Sequence, residues 1–213
     1  MSTDSLIDTL SANLRPVRRF AVGRRIALGI GAGAIVTVML IIMALGVRPD
    51  LGLAMRGYSL WMKWIYTLSL SLCALFMVMR LARPNGTDLR WLWLMAIPVG
   101  LVATIGGLEL AHTPSRDWLA MWLGHSWKIC PWLVLSLSAP IFVGLLWSVR
   151  RLAPTRLRAA GATAGLAAGS CAAALYCLHC PEVSAIFVLT WYTLGIALAA
   201  GIGALLGPRL LRW

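Results

Sequence analysis

Long apolar runs, separated by short basic or turn-forming stretches, make up most of the chain. A helix needs about 20 apolar residues to cross the hydrocarbon core of a bilayer. Six runs meet that length: Ile26–Gly46, Tyr58–Met79, Trp91–Ala111, Ile129–Val149, Ala159–Leu178 and Val183–Leu206. The breaks between them hold residues that end helices, such as Arg48-Pro49, Arg83-Pro84-Asn85-Gly86 and Ala153-Pro154. The pattern predicts an all-α, polytopic membrane protein: a bundle of six transmembrane helices preceded by a short polar segment. The first run lies too late and runs too long for a cleaved signal peptide, so it is read as a helix.

Before the first run, Leu6, Ile7, Leu10 and Leu14 fall on one face of a helix. Ser5 and Asp8 have the spacing of a capping box, and Pro16 would end the helix. Some ten residues of helix are marginal alone in water, so this segment is expected to order only against something apolar. It suits either an amphipathic anchor on the membrane surface or a docking helix for a protein partner. Its apolar face has no aromatic residue and its polar face carries Asp4, Asp8, Thr9 and Ser11, which weighs against simple anchoring.

Composition agrees with the pattern. Of 213 residues, 60% are hydrophobic and 12% charged, too few to cover a soluble domain of this size. No loop is long enough for a separate domain, so the chain divides at residues 1–25 and 26–213. The net charge of +12 would suggest nucleic acid on a soluble protein, but here the placement of the charges explains it. With the N-terminus in the cytoplasm, 14 of the 19 Lys and Arg residues fall inside, among them Arg15, Arg18, Arg19, Arg150, Arg151, Arg156 and Arg158. Only Arg48, Arg56, Lys63, Arg116 and Lys128 fall outside. The positive-inside rule then predicts both termini in the cytoplasm, and tryptophans near both ends of the runs form two interfacial belts.

Gly29-x-x-x-Gly33 and Gly161-x-x-x-Gly165-x-x-x-Gly169 allow close helix packing. Packing within the bundle is the expectation, and a homodimer is the alternative. Lys63 and Glu109 lie just inside the outer ends of their runs and are expected to reach the surface or to pair. No ionisable residue occupies a midplane position, which weighs against a coupled transporter. Asp117–Leu123 reads as a short interfacial helix laid over the outward end of the bundle.

Among the five cysteines, Cys73 and Cys171 read as small hydrophobes within runs. Cys130-Pro131 and Cys180-Pro181 stand at the outward starts of runs, where a helix N-terminus would favour thiolate. These two are the candidate reactive or metal-binding residues, with His125, His179 and Glu182 as further ligands. A disulfide in an oxidising compartment and inert structural thiols remain open beside this. Cys177-x-x-Cys180 has the spacing of a redox motif but not its strand-to-helix setting. The chain has no catalytic triad, phosphate-binding loop or paired carboxylates, so no catalytic residue or resident cofactor is expected.

The order of several motifs resembles the NrsF-like bacterial membrane anti-sigma factors. They run from Leu14-Arg15-Pro16-Val17, through Leu81-Ala82-Arg83-Pro84, Cys130-Pro131 and Arg150-Arg151-Leu152-Ala153-Pro154-Thr155. They end with Tyr176-Cys177-Leu178-His179-Cys180-Pro181-Glu182, Trp191-Tyr192 and Gly207-Pro208-Arg209-Leu210-Leu211-Arg212-Trp213. The resemblance implies a regulator of the bacterial inner membrane whose N-terminal helix (Leu6, Ile7, Leu10, Leu14) docks an extracytoplasmic-function sigma factor of the SigF type. It also implies that Cys130 and Cys180 sense heavy metal, bound transiently, or oxidant on the outward face. Cys177 is extra to that pair and leaves open which thiol partners Cys130. The partner would be a protein, with no direct contact to nucleic acid. The alternative reading is a membrane thiol-disulfide oxidoreductase using Cys177, Cys180 and Cys130.

Overall fold

The structure, a computed structural model, describes residues 21–82, 90–150, 152 and 154–212, together with 3, 5, 7 and 12. Every regular element among them is helical. Six helices are long and apolar enough to cross a membrane: α1 (Val22–Leu45), α2 (Tyr58–Leu81), α3 (Leu92–His112), α4 (Cys130–Arg150), α5 (Leu157–Tyr176) and α6 (Ala185–Leu210). They alternate in direction. One end of the bundle gathers the cysteine-bearing loops, the thiol end, and the other gathers Arg24, Arg25, Arg150, Arg156, Arg158 and Arg209, the basic end.

Side-chain size decides which helix is central. α5 is built mostly of Ala and Gly, and 72% of its most apolar stretch is buried, against 17% for α3. It is surrounded by α2, α4 and α6, α1 packs on α4, and α3 stands at the edge. The glycine spacings explain how backbones come this close. Gly161 and Gly203 face one another so tightly that a Cβ on either would fall on the other's carbonyl oxygen. Gly165 meets Ala199 in the same way, and Gly169 lies against Ile196. The first motif forms a second seam, with Gly29 against Gly144 and Ser148, and Gly33 against Pro140 and Ile141. Thr37 Oγ1 extends this seam by donating to Leu137 O at 3.0 Å. Both glycine motifs therefore serve packing within one chain.

A 3₁₀ turn (Ser115–Asp117) leads into a short helix (Trp118–Leu123), as the sequence predicted. That helix is tied to α6: Trp191 Nε1 donates to Trp122 O at 2.9 Å, and the rings of Trp122 and Trp127 flank Trp191 at 5.6 and 5.3 Å. In the N-terminal segment Thr3, Ser5, Ile7 and Ala12 are helical and exposed. Asp8, the expected partner of Ser5 in a capping box, lies outside the described residues. Leu6, Leu10 and Leu14 lie outside the described residues. Cys73 and Cys171 are half-buried rather than enclosed, and Cys171 Sγ lies 2.8 Å from Ser71 Oγ between α2 and α5.

Gly203→Val should destabilise the purified protein by about 1–3 kcal/mol, the usual cost of overpacking. Gly201→Val, at a position with nothing within 4 Å of an added Cβ, should stay within about 0.5 kcal/mol. Denaturation in detergent micelles measures both.

Candidate functional site

Three thiols converge where α4 begins and the α5–α6 connection passes over it. Cys130 is the first residue of α4; Cys177 and Cys180 follow the end of α5. All three are fully buried, as are Tyr176 and Tyr192, and all five cysteines are reduced. The three thiols lie close enough to feel one another's charge, with Tyr176 beside Cys130 and Tyr192 beside Cys177 and Cys180. A π-helical turn (Val188–Tyr192) in α6 aims Tyr192 into the cluster. Its hydroxyl is enclosed and forms no well-made hydrogen bond among the described residues.

Cys130 matches the sequence expectation in position, at a helix start, and is fully buried there. Cys180 departs from it. The residues from Cys180 to Ser184 have no regular secondary structure and α6 starts only at Ala185, so Cys180 does not stand at the N-terminus of its own helix. Pro181 thus sits in an irregular strap rather than in a first helical turn. Burial, the largest influence on Cys177, pushes its thiol up to about 12. Burial thus disfavours the thiolate form at Cys177.

The strap is held from three sides. Lys63, fully buried in α2, donates from Nζ to Cys180 O at 3.0 Å and to Glu182 O at 2.7 Å. Arg48 donates to the same Cys180 carbonyl at 3.3 Å, while its guanidinium grips Asp50 through bonds of 2.7 and 2.6 Å. Those bonds hold the Asp50 carboxyl below its ordinary value and raise Arg48. Glu182 reaches the other way and accepts from His125 N at 2.8 Å, and from Ser126 N and Ser126 Oγ at 3.1 Å each. Gly124 makes room for it: its φ is 57°, and a Cβ there would stand 2.6 Å from the Glu182 carboxylate.

Lys63 therefore neither reaches the surface nor pairs with Glu109. Its four-carbon stem turns inward because the two carbonyls on either side of Pro181 accept its protons. Glu109 instead accepts from Tyr58 Oη at 2.8 Å and from Ala185 N at 2.7 Å, capping the start of α6. The sequence signal for Lys63 was present, a lone cation inside an apolar run. Its partners were not, because backbone carbonyls of a strap 117 and 119 residues away leave no mark in local pattern.

Of the candidate further ligands, Glu182 is engaged as just described and His179 Nδ1 lies 2.9 Å from Gly46 O. His125 meets Glu182 through its backbone. Among the described residues no group of three or more His, Cys, Asp or Glu side chains stands ready to enclose a metal ion. The arrangement is a closed, reduced thiol pocket whose cover is a five-residue strap. Removing the Lys63 clamp with Lys63→Met should loosen that cover by about 1–2 kcal/mol. The alkylation rate of Cys130 and Cys180 by a small maleimide should then rise roughly tenfold, and mass spectrometry of the labelled peptides reads it.

Comparison with known proteins identifies the family. The family model described as NrsF, negative regulator of sigma F, matches residues 10–213. The chain is 41% identical, over the full length of both chains, to the probable anti-sigma-F factor NrsF of Azospira oryzae. It is 39% identical, again over the full length of both, to the anti-sigma-F factor NrsF of Caulobacter vibrioides. No solved structure matches it. With the family model covering nearly all of the chain and both relatives matched end to end, the chain belongs to the NrsF family of negative regulators of sigma F.

Proposed function

We propose that this chain is an anti-sigma factor of the bacterial inner membrane with both termini in the cytoplasm. Its N-terminal helix holds an extracytoplasmic-function sigma factor inactive, and engagement of Cys130 and Cys180 on the opposite face releases it. The observation that carries this reading is the full-length kinship with two proteins named as anti-sigma-F factors, regulators rather than enzymes. Six helices of spanning length and the gathering of arginines at one end support the membrane placement. Ile7, on the face that also carries Leu6, Leu10 and Leu14, is 56% exposed and available to a partner.

The thiol pocket suits a trigger. A soft metal ion would displace the two thiol protons and hold both sulfurs; a two-electron oxidant would take two electrons and two protons and leave a disulfide. Either event ties the start of α4 to the strap that Lys63 fastens to α2. The far ends of these helices lie about 30 Å away, at the end that gathers Arg150, Arg156 and Arg158. A shift in the strap thus reaches the sigma-holding face through rigid helices rather than through loops.

In membrane pull-downs, full-length tagged protein should recover a sigma factor, and protein lacking Ser2–Arg15 should recover none. If neither form recovers one, the anti-sigma reading fails. Under heavy-metal stress the Cys130→Ser, Cys180→Ser double variant should keep its sigma factor bound while the parent releases it. Equal release by both would remove the cysteine pair from the mechanism.

A further inference from the structure

The edge position of α3 leaves a crevice that the thiol pocket does not use. Two cavities lie along it, sharing Tyr58 and Ile105 in their walls. The deeper one, about 460 Å³, runs between α2 and α3 and is walled by Met62, Ile65, Leu101 and Val102. The upper one, about 560 Å³, opens at the thiol end, where Glu109, His112, Thr113 and Ser184 join its wall. Together they form a slot that is apolar below and polar at its mouth. On α2 it reaches from Tyr58 to Ser69, about 16 Å at 1.5 Å per residue. That length suits most of an acyl chain.

The mouth has a charge of its own. Glu109 accepts from Tyr58, Ser184 and Ala185, all neutral donors, and forms no ion pair among the described residues. A carboxylate has about four acceptor sites, so one is left toward the cavity. His112, one turn further on, offers an imidazole N–H beside it. A carboxylate and an imidazole together at the top of an apolar slot complement a zwitterion whose ammonium and phosphate are a few bonds apart.

We propose that the α2–α3 crevice binds one phospholipid with a primary-amine headgroup, its acyl chain between the helices and its ammonium on Glu109. The inference rests on the membrane-spanning reading. It adds a second input to the strap: Val183 and Ser184 line the cavity, and Glu109 bonds Ala185 at the start of α6. A headgroup on Glu109 therefore touches the element that carries Cys180.

Native mass spectrometry of the full chain, released from detergent in the presence of matched-chain phosphatidylethanolamine or phosphatidylglycerol, tests this. The parent protein should retain one phosphatidylethanolamine at least fivefold better than phosphatidylglycerol. Glu109→Gln, which keeps an oxygen for Tyr58 or Ala185, should bring the two within twofold while the protein stays folded. Ile105→Trp, which fills the slot, should reduce retention of both lipids. Equal retention by the parent, a preference that survives Glu109→Gln, or occupation of the crevice by a second copy of the chain would overturn the proposal. Recovery of the protein from the soluble fraction of cells would instead overturn the membrane reading on which it rests.

Discussion

A single buried ammonium organises the thiol end of this molecule. Lys63 has no carboxylate partner among the described residues and spends its protons on two backbone carbonyls of the strap. An unpaired charge in a low-dielectric place is costly, and two close carbonyl dipoles only partly offset that cost. The strap must therefore stay where Lys63 can reach it. From that constraint follow the irregular course from Cys180 to Ser184, the late start of α6, and the enclosure of the thiols beside it.

The rest of the bundle supplies a rigid frame for that contact. Where α5 meets α6 and α1 meets α4, backbones rather than long side chains touch, through Gly161, Gly203, Gly29 and Gly144. In a lipid surround there is little hydrophobic gain from helix association, so close backbone packing and hydrogen bonds must hold helices together. The bonds are there: Thr37 to Leu137, Trp64 to Ala174, Tyr66 to Thr193 and Ser148 to Arg25. Small residues at the seams and hydroxyls beside them do the work that large apolar cores do in soluble proteins.

The architecture was largely legible in the sequence, because hydropathy and helix length act locally. All six helices lie within four residues of the apolar runs that predict them. The glycine motifs signalled close packing through their spacing, and the structure places that packing within one chain. What could not be read was the path of the strap. Cys180-Pro181 looks like a helix start, since proline favours the first turn, yet Lys63 and Arg48 hold the Cys180 carbonyl and the chain stays out of a helix for five residues. Lys63 and Glu109 were noticed as ionisable residues near the ends of runs. Their partners, however, are groups supplied by distant parts of the chain, two strap carbonyls for Lys63 and Tyr58, Ser184 and Ala185 for Glu109, and no periodicity encodes those.

Complete enclosure of Cys130 and Cys180 also sets a tempo. A reagent outside meets these sulfurs only during excursions of the strap, so at low doses the encounter depends on concentration. At high doses it depends on the strap alone, and adding more reagent brings no further speed. In the sensor role proposed above, the pocket would act as a filter on duration: brief surges would pass unrecorded between excursions, while a sustained exposure, even a modest one, would register in the end.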